Sequence, residues 1–215
     1  MILYGSTMSP FVRKVAAYAA EKGIEVELTP TGFPNPTPEF TAASPFKKMP
    51  ALVDGDYKLA DSSAIIHYLE AKYPEPEMIP ANPRERGRVI WFDEFADTIL
   101  FACGGKMFFN RIVAPRFLGR EGDLAVAEAA ERDELPPLLD YLESVIPDSN
   151  YLVGDRLTLA DISVAGPFAN LSHCGVDIDP ARYPRTTAYV ATILSRPSFA
   201  RHVEREAAYL ARAEA

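Results

Sequence analysis

The sequence predicts a small mixed α/β domain of order βαβ-ββα, followed by an all-α domain. Strand and helix patterns alternate through the first third of the chain, which predicts a mixed sheet. Beyond it, strand patterns nearly vanish and apolar residues recur at helical spacing. The change coincides with prolines of the kind that punctuate linkers: Pro74, Pro76, Pro80 and Pro83. We therefore predict domains at 1–76 and 84–215, joined by a linker at 77–83.

The α/β domain is predicted to begin with a strand, a helix and a second strand. Met1–Tyr4 is short and apolar, as expected of a buried strand. Pro10–Lys22 carries apolar residues on one helical face and ends at Gly23, a favoured helix stop. Ile24–Thr29 alternates between apolar and polar residues, which predicts the second strand. A short helical piece follows, in a region that contains Pro30, Pro34, Pro36 and Pro38.

A hairpin and a helix are predicted to complete this domain. Ala51–Val53 and Tyr57–Ala60 are strand-like and flank Asp54-Gly55-Asp56, in which Asp-Gly favours a tight turn. Ser62–Lys72 has the apolar spacing of a helix. This order predicts a sheet that begins parallel and ends antiparallel.

Every element predicted beyond the linker is a helix. The ranges are 84–117, 121–146, 159–173, 186–194 and 198–213, and the first of them is expected to bend or end near Pro115. Thr158 and Asp161 have the spacing of a capping box at the start of the 159–173 helix, with Asp in place of the usual Glu or Gln. Such a cap contributes roughly 1 kcal/mol to stability.

The composition of the chain disfavours several classes of function. Of the 215 residues 48% are hydrophobic, which is enough for a well-buried core. The net charge of −8, without a Lys/Arg block, disfavours nucleic-acid binding. We expect neither a membrane span nor a signal peptide, because the apolar runs are short. Cys103 and Cys174 lack a metal-binding or redox spacing, so we expect a cytoplasmic protein.

Three short segments lie at the ends of neighbouring elements: Ser9-Pro10, Met49-Pro50 and Asp61-Ser62. Each has an ordinary structural explanation. Ser9 and Asp61 are good helix caps, and Pro50 is expected to be trans because only about 5–6% of X–Pro bonds are cis. Equally, the amides and hydroxyls of Ser62 and Ser63 can hold a carboxylate. Since open sheets bind ligands at the ends of their strands, the convergence of all three segments predicts a ligand site.

In this order and spacing, the motifs resemble those of soluble glutathione transferases over essentially the whole chain. Met49-Pro50 and Asp61-Ser62-x-Ala64-Ile65 are similar to the family's glutathione-binding pattern. Thr158-x-x-Asp161 resembles its capping box, and Ser195–Phe199 its late signature. The resemblance implies a thioredoxin-like N-terminal domain, an all-helical C-terminal domain and a cytosolic homodimer. It implies glutathione as co-substrate, no metal, and a small electrophile as partner rather than nucleic acid or a membrane.

The resemblance also assigns contacts to two parts of glutathione. The proline at the position of Pro50 is cis in the family, which exposes the backbone of Met49 to pair with the cysteinyl part. Lys48 stands where related classes place a cation or amide for the glycine carboxylate, and Lys47 is an alternative.

The γ-glutamyl end is assigned to the third segment. By resemblance, Ser62 takes the carboxylate and Asp61 helps to hold the amino group. Family members usually carry Glu or Gln at the position of Asp61, so this chain has a shorter side chain there.

Serine classes of the family, such as tau, phi and zeta, place the catalytic hydroxyl at the position of Ser9. Ser6 and Thr7 are alternatives in the same turn. A hydroxyl there would donate a hydrogen bond to the glutathione thiolate, since a thiol of pKa about 8.5 is only a few per cent ionised at neutral pH. No cysteine precedes Cys103, which excludes mixed-disulfide chemistry at this position.

The second substrate is expected to be a hydrophobic electrophile. Aromatic and apolar side chains that could line its pocket are Phe11, Phe33, Met107 and Phe108, although most have the spacing of ordinary helix core. The alternatives are a glutathione-dependent peroxidase, isomerase or dehalogenase on the same site, or a non-catalytic binding protein such as the stringent starvation proteins.

Overall fold

The structure is a computed structural model that describes residues 1–33 and 35–212. The chain forms two compact units, the first comprising Met1–Ile79 and the second beginning at Pro80. Pro34 of the proline-rich loop and residue 213 of the last predicted helix lie outside the described residues.

A mixed sheet with helices forms the first unit. Its elements are β1 (Ile2–Tyr4), α1 (Pro10–Glu21), β2 (Glu27–Thr29), α2 (Pro38–Ala43), β3 (Ala51–Asp54), β4 (Tyr57–Ala60) and α3 (Ser62–Lys72). Among the described residues four strands pair in the order β2-β1-β3-β4. β1 is parallel to β2 and antiparallel to β3, and β3 is antiparallel to β4. The predicted βαβ-ββα order and the change from parallel to antiparallel pairing are confirmed.

The strand register aligns the ends of these strands in one row. Tyr4, the last residue of β1, pairs with Thr29 on one side and with Ala51 on the other. Ala51, the first residue of β3, pairs in turn with Ala60, the last residue of β4. The chain segments that adjoin this row therefore lie at the same end of the sheet.

The second strand is shorter than predicted, since β2 starts at Glu27 and not at Ile24. The cause is the way in which α1 ends. The amide of Ile24 donates to the carbonyl of Ala19 at 2.8 Å, and Gly23 adopts a φ of 67°. The amide of Ile24 thus closes the helix, in a geometry that glycine permits at Gly23. The same amide cannot also pair with a neighbouring strand.

Helices make up the described part of the second unit. They are α4 (Pro83–Glu94), α5 (Phe101–Phe108), α6 (Ala114–Phe117), α7 (Leu124–Ala129), α8 (Leu135–Val145), α9 (Leu159–His173), α10 (Pro184–Leu194) and α11 (Pro197–Arg212). π-helical segments at Phe95–Leu100, Phe109–Val113 and Ala130–Glu134 join several of them. The all-α prediction is confirmed. In the described ranges no helix is both long and apolar enough to cross a membrane.

One predicted helix starts later than expected, at Leu124 and not at 121. Asp123 occupies the N-cap position, and its side chain accepts a hydrogen bond from the amide of Val126 at 3.1 Å. Gly122 packs so closely that an added Cβ would lie 1.9 Å from the carbonyl oxygen of Asn110. The chain before Asp123 is therefore held against the preceding helical segment.

The predicted capping box forms at the start of α9. Asp161 is fully buried, and its Oδ2 accepts from the amide of Thr158 at 2.8 Å. Its Oδ1 accepts from the amide of Leu152 at 2.8 Å. Asp161 therefore does more than cap the helix, because it also fixes the preceding loop.

Burial raises the pKa of Asp161 from 3.8 to about 6, while the hydrogen bonds from Leu152 and Thr158 act in the opposite direction. The folded state therefore binds this proton more tightly than the unfolded state. The associated stability is complete below the unfolded pKa and is lost as pH rises through the folded pKa.

We expect the free energy of unfolding of the wild type, relative to that of Asp161→Asn, to fall by about 3 kcal/mol as pH rises from about 3 to about 8. Asn has no ionisable proton, so the comparison isolates the titration of this one group. Urea unfolding at a series of pH values measures the difference. A difference that does not vary with pH would contradict the assignment.

Candidate functional site

The segments Ser9-Pro10, Met49-Pro50 and Asp61-Ser62 adjoin the same end of the four-stranded sheet. Ser9 follows β1 within five residues of Tyr4, Met49-Pro50 immediately precedes Ala51, and Asp61-Ser62 immediately follows Ala60. Since Tyr4, Ala51 and Ala60 are aligned and neighbouring strands lie about 4.8 Å apart, groups from all three segments can contact one small ligand.

Ser9 lies at the N-cap position of α1, with Pro10 as the first helical residue. Its φ of −78° and ψ of 125° are those of a normal N-cap, but its side chain makes no capping hydrogen bond. The prediction that Ser9 serves as a side-chain cap is therefore wrong. Its partly buried hydroxyl remains beside the positive end of a helix, where an anion is stabilised.

Gly5, which the sequence analysis missed, lets α1 begin so close to β1. A Cβ at this position would lie 2.4 Å from Cγ2 of Val12, a fully buried residue of α1. The amide of Gly5 donates to the carbonyl of Thr29 at 2.9 Å. Glycine is thus required by the close approach that brings Ser9 to the end of the sheet.

Other side chains with hydroxyl groups near Ser9 are buried or make local contacts within the protein. Ser6 is exposed, and its Oγ accepts from the amide of Met8 at 3.4 Å. Thr7 is buried. Tyr4 packs against Phe40, with ring centroids 6.1 Å apart, as expected of a side chain that points into the core.

The peptide bond between Met49 and Pro50 is cis. The expectation of trans from base rates is wrong here, and the geometry implied by the family resemblance is observed. Ser44, a buried residue that follows α2, holds the preceding loop. Its Oγ donates to the carbonyl of Lys48 at 2.7 Å and accepts from the amide of Lys48 at 3.1 Å. Ser44 was missed by the sequence analysis because its partner is four residues away in an irregular loop.

Lys47 and Lys48 are both exposed. Lys47 adopts a φ of 56°, and its amide donates to the carbonyl of Ser44 at 2.9 Å. The backbone of this loop is therefore held in a tight turn, while two ammonium groups extend from it into solvent.

Asp61 caps α3, as predicted, and Ser62 begins the helix. Oδ1 of Asp61 accepts from the amide of Ala64 at 3.0 Å. The φ of Asp61 is 83°, a conformation that costs of order 1–3 kcal/mol for a residue with a side chain. Ser62 is buried at the positive end of the helix. Strain next to a buried hydroxyl at a helix start is typical of ligand-binding positions.

The apolar residues predicted for a second-substrate pocket divide between the units. Phe11 is partly buried and Phe33 is half-exposed, and both belong to the first unit. Met107 and Phe108 lie on α5 and are buried within the second unit.

Neither cysteine offers a reactive thiol at neutral pH. Burial raises the pKa of Cys103 to about 11 and that of Cys174 to about 12. Among the described residues, no group of three or more His, Cys, Asp and Glu side chains is arranged to hold a metal ion.

A cavity of about 400 Å³ in the first unit lies away from these segments. It is lined by Met1, Ile24, Asp54 and Tyr73, among other residues. Ile2 and Val53 pair across the sheet at this end, opposite the row that contains Tyr4. The cavity is therefore not part of the candidate site.

Comparison with known families matches both halves of the chain. The family described as "Glutathione S-transferase, N-terminal domain" matches residues 3–77. The family described as "Glutathione S-transferase, C-terminal domain" matches residues 113–206. The N-terminal match includes all three segments of the candidate site.

Individual proteins match over nearly their whole length. A glutathione S-transferase of Hyoscyamus muticus is 32% identical over 95% of this chain and 98% of its own. A stringent starvation protein A homologue of Coxiella burnetii is 27% identical, over 93% and 89%. A solved glutathione S-transferase-I with bound lactoylglutathione superposes with a TM-score of 0.83 and 28% identity, covering 94% of this chain and 98% of its own.

Proposed function

The chain belongs to the glutathione S-transferase family, and we propose that Ser9 activates glutathione for transfer to a hydrophobic electrophile. Relatives at about 32% identity over nearly the whole chain are named glutathione S-transferases, which supports glutathione conjugation. The proposal concerns how this chain conjugates glutathione and which residues take part.

The observation that carries the proposal is the row formed by Tyr4, Ala51 and Ala60, which the three segments of the candidate site adjoin. In this proposal the backbone of Met49 contacts the central residue of a peptide-like ligand. The helix start at Ser62 contacts one end of the ligand, and the ammonium group of Lys48, or of Lys47, contacts the other. Glutathione has a cysteinyl centre and a carboxylate at each end, which fits this distribution of groups.

Ser9 donates a hydrogen bond to the thiolate of glutathione in this proposal. Lowering a thiol pKa from about 8.5 by about 2 units requires about 2.7 kcal/mol. One charge-assisted hydrogen bond together with the positive end of α1 can supply that energy. Because Ser9 makes no capping bond, its hydroxyl is available for this role without loss of a helix cap.

The reaction proceeds by attack of the glutathione sulfur on an electrophilic carbon. A carbon–sulfur bond forms as a leaving group departs with its electron pair, or as the electrons of a polarised double bond move to an atom that then takes a proton. No protein thiol participates, in keeping with the raised pKa values of Cys103 and Cys174.

Glutathione is oriented by the remaining groups of the site. We assign the γ-glutamyl carboxylate to Ser62, the amino group to Asp61 and the glycine carboxylate to Lys48, with Lys47 as the alternative. Phe11, Phe33, Met107 and Phe108 remain candidates for contacts with the apolar electrophile. We also propose that the protein is cytoplasmic and forms a homodimer. Light scattering of the purified chain would test the dimer.

A non-catalytic role is the second candidate, because the relative from Coxiella burnetii is named as a stringent starvation protein A homologue. Two measurements separate the candidates: retention on immobilised glutathione, and thiolate absorbance of bound glutathione near neutral pH. We expect the protein to be retained and the thiol pKa of bound glutathione to lie about 2 units below 8.5. Glutathione that binds with an unshifted pKa, or does not bind, would favour the non-catalytic role.

A further inference from the structure

Lys14 is a buried cation close to the start of α3. It belongs to α1, its side chain is almost inaccessible to solvent, and its Nζ donates to Oγ of Ser63 at 3.2 Å. Buried lysines are rare because removing an ammonium group from water is costly. A buried lysine that contacts a helix start beside a ligand site therefore needs a reason.

A second buried lysine bridges the same two helices in a different way. Lys22, the C-cap residue of α1, contacts Oε2 of Glu70 on α3 at 2.5 Å and also donates to the carbonyl of Pro76. Glu70 accepts further hydrogen bonds from the amides of Met78 and Ile79. Lys22 thus connects the end of α1 to Glu70 and to the chain after α3, away from the start of α3.

Lys14, in contrast to Lys22, contacts the start of α3. Ser63 is the second residue of α3, and the start of a helix carries a partial positive charge. A cation beside it raises the positive potential further, which destabilises an isolated helix start but stabilises a bound anion. Ser62, the preceding residue, is the one assigned above to the γ-glutamyl carboxylate.

We propose that Lys14 is a positioning residue for glutathione. Through Ser63 it holds the first turn of α3 in the orientation that receives the γ-glutamyl carboxylate, and it adds positive potential there. This inference rests on the proposed function, because it needs glutathione to be the ligand. It predicts that the effect of Lys14 depends on the ligand's carboxylate and not on the chemistry at sulfur.

The test compares glutathione with an analogue that lacks the α-carboxylate of the γ-glutamyl residue. We expect Lys14→Met to raise the Kd and KM for glutathione about tenfold and to leave kcat within about threefold. The Kd for the analogue should be unchanged. Lys14→Arg should recover most of the affinity, and the losses caused by Lys14→Met and Ser63→Ala should be less than additive in the double variant, since the two side chains contact each other.

Lys22→Met is the matched control, because it removes a buried lysine that bridges the same helices away from the site. We expect it to lower thermal stability at least as much as Lys14→Met and to leave the Kd for glutathione unchanged. An equal increase in the Kd for glutathione in Lys14→Met and Lys22→Met would overturn the proposal. An equal loss of affinity for glutathione and for the analogue in Lys14→Met would also overturn it.

If Lys14→Met does not fold, Ser63→Ala tests the positioning role instead, because alanine is well tolerated in a helix. An unchanged Kd for glutathione in Ser63→Ala would overturn the positioning role. Binding of glutathione by the wild type is measured first. Its absence would refute the proposed function, whereas wild-type binding with insensitive variants would refute only the role of Lys14.

Discussion

Replacing Ser9 by alanine is expected to lower kcat roughly 20- to 30-fold near pH 7 and up to about 100-fold at lower pH, and to change the Kd for glutathione by no more than a few-fold. The loss follows from the fraction of bound glutathione that is ionised. If the thiol pKa rises by about 2 units to about 8.5 in the variant, the variant holds roughly one hundredth as much thiolate as the wild type at low pH. Ultraviolet titration of bound glutathione measures this shift directly. The defect should shrink as pH rises above about 8.5, where the thiol ionises without help.

Ser6→Ala is the matched control for this experiment, because it removes a hydroxyl from the same turn. Its Oγ accepts from the amide of Met8, so we expect a small structural effect and a normal thiolate pKa. If Ser9→Ala retained the wild-type kcat and the shifted thiolate pKa, the catalytic role would pass to Ser6, Thr7 or the backbone.

The second large effect is expected for Ser62→Ala, which should raise the Kd for glutathione about 10- to 100-fold. A hydrogen bond to a charged group contributes about 1.5–3 kcal/mol, and Ser62 is buried where water cannot easily replace it. At saturating glutathione kcat should stay within about threefold of wild type, because the carboxylate is remote from the sulfur. Isothermal titration calorimetry and steady-state kinetics measure the two quantities.

The carboxylate-free analogue serves as the control for Ser62→Ala. Wild type and variant should bind it with the same Kd, since the contact that the mutation removes is already missing. A variant that reduced kcat alone, with normal affinity for glutathione, would be incompatible with the assigned role of Ser62.

Much of the fold could be predicted from local patterns in the sequence. Strand and helix periodicity identified the order of elements, and Asp-Gly at residues 54–55 identified the hairpin. The capping box at Thr158 and Asp161 was recognised because its partners are three residues apart. Where the prediction failed, at Ile24, an amide was used to close a helix and not to extend a strand.

The candidate site was predictable only in part. Its three segments could be found because each lies at the end of a recognisable element. Three supporting residues could not be found in this way: Gly5, Lys14 and Ser44. Gly5 is explained by its close approach to Val12, Lys14 by a hydrogen bond to a residue 49 positions away, and Ser44 by an irregular loop. None of these contacts leaves a periodic signal.

By itself, the sequence determined which segments are strands and helices, where the composition changes, and which motifs carry the family resemblance. These properties depend on residues a few positions apart. The tertiary structure alone decided that Tyr4, Ala51 and Ala60 form one row, that Ser9 makes no capping bond, and that Lys14 is buried beside α3. Sheet register and helix packing bring together residues some 50 positions apart, and only the folded chain specifies those distances.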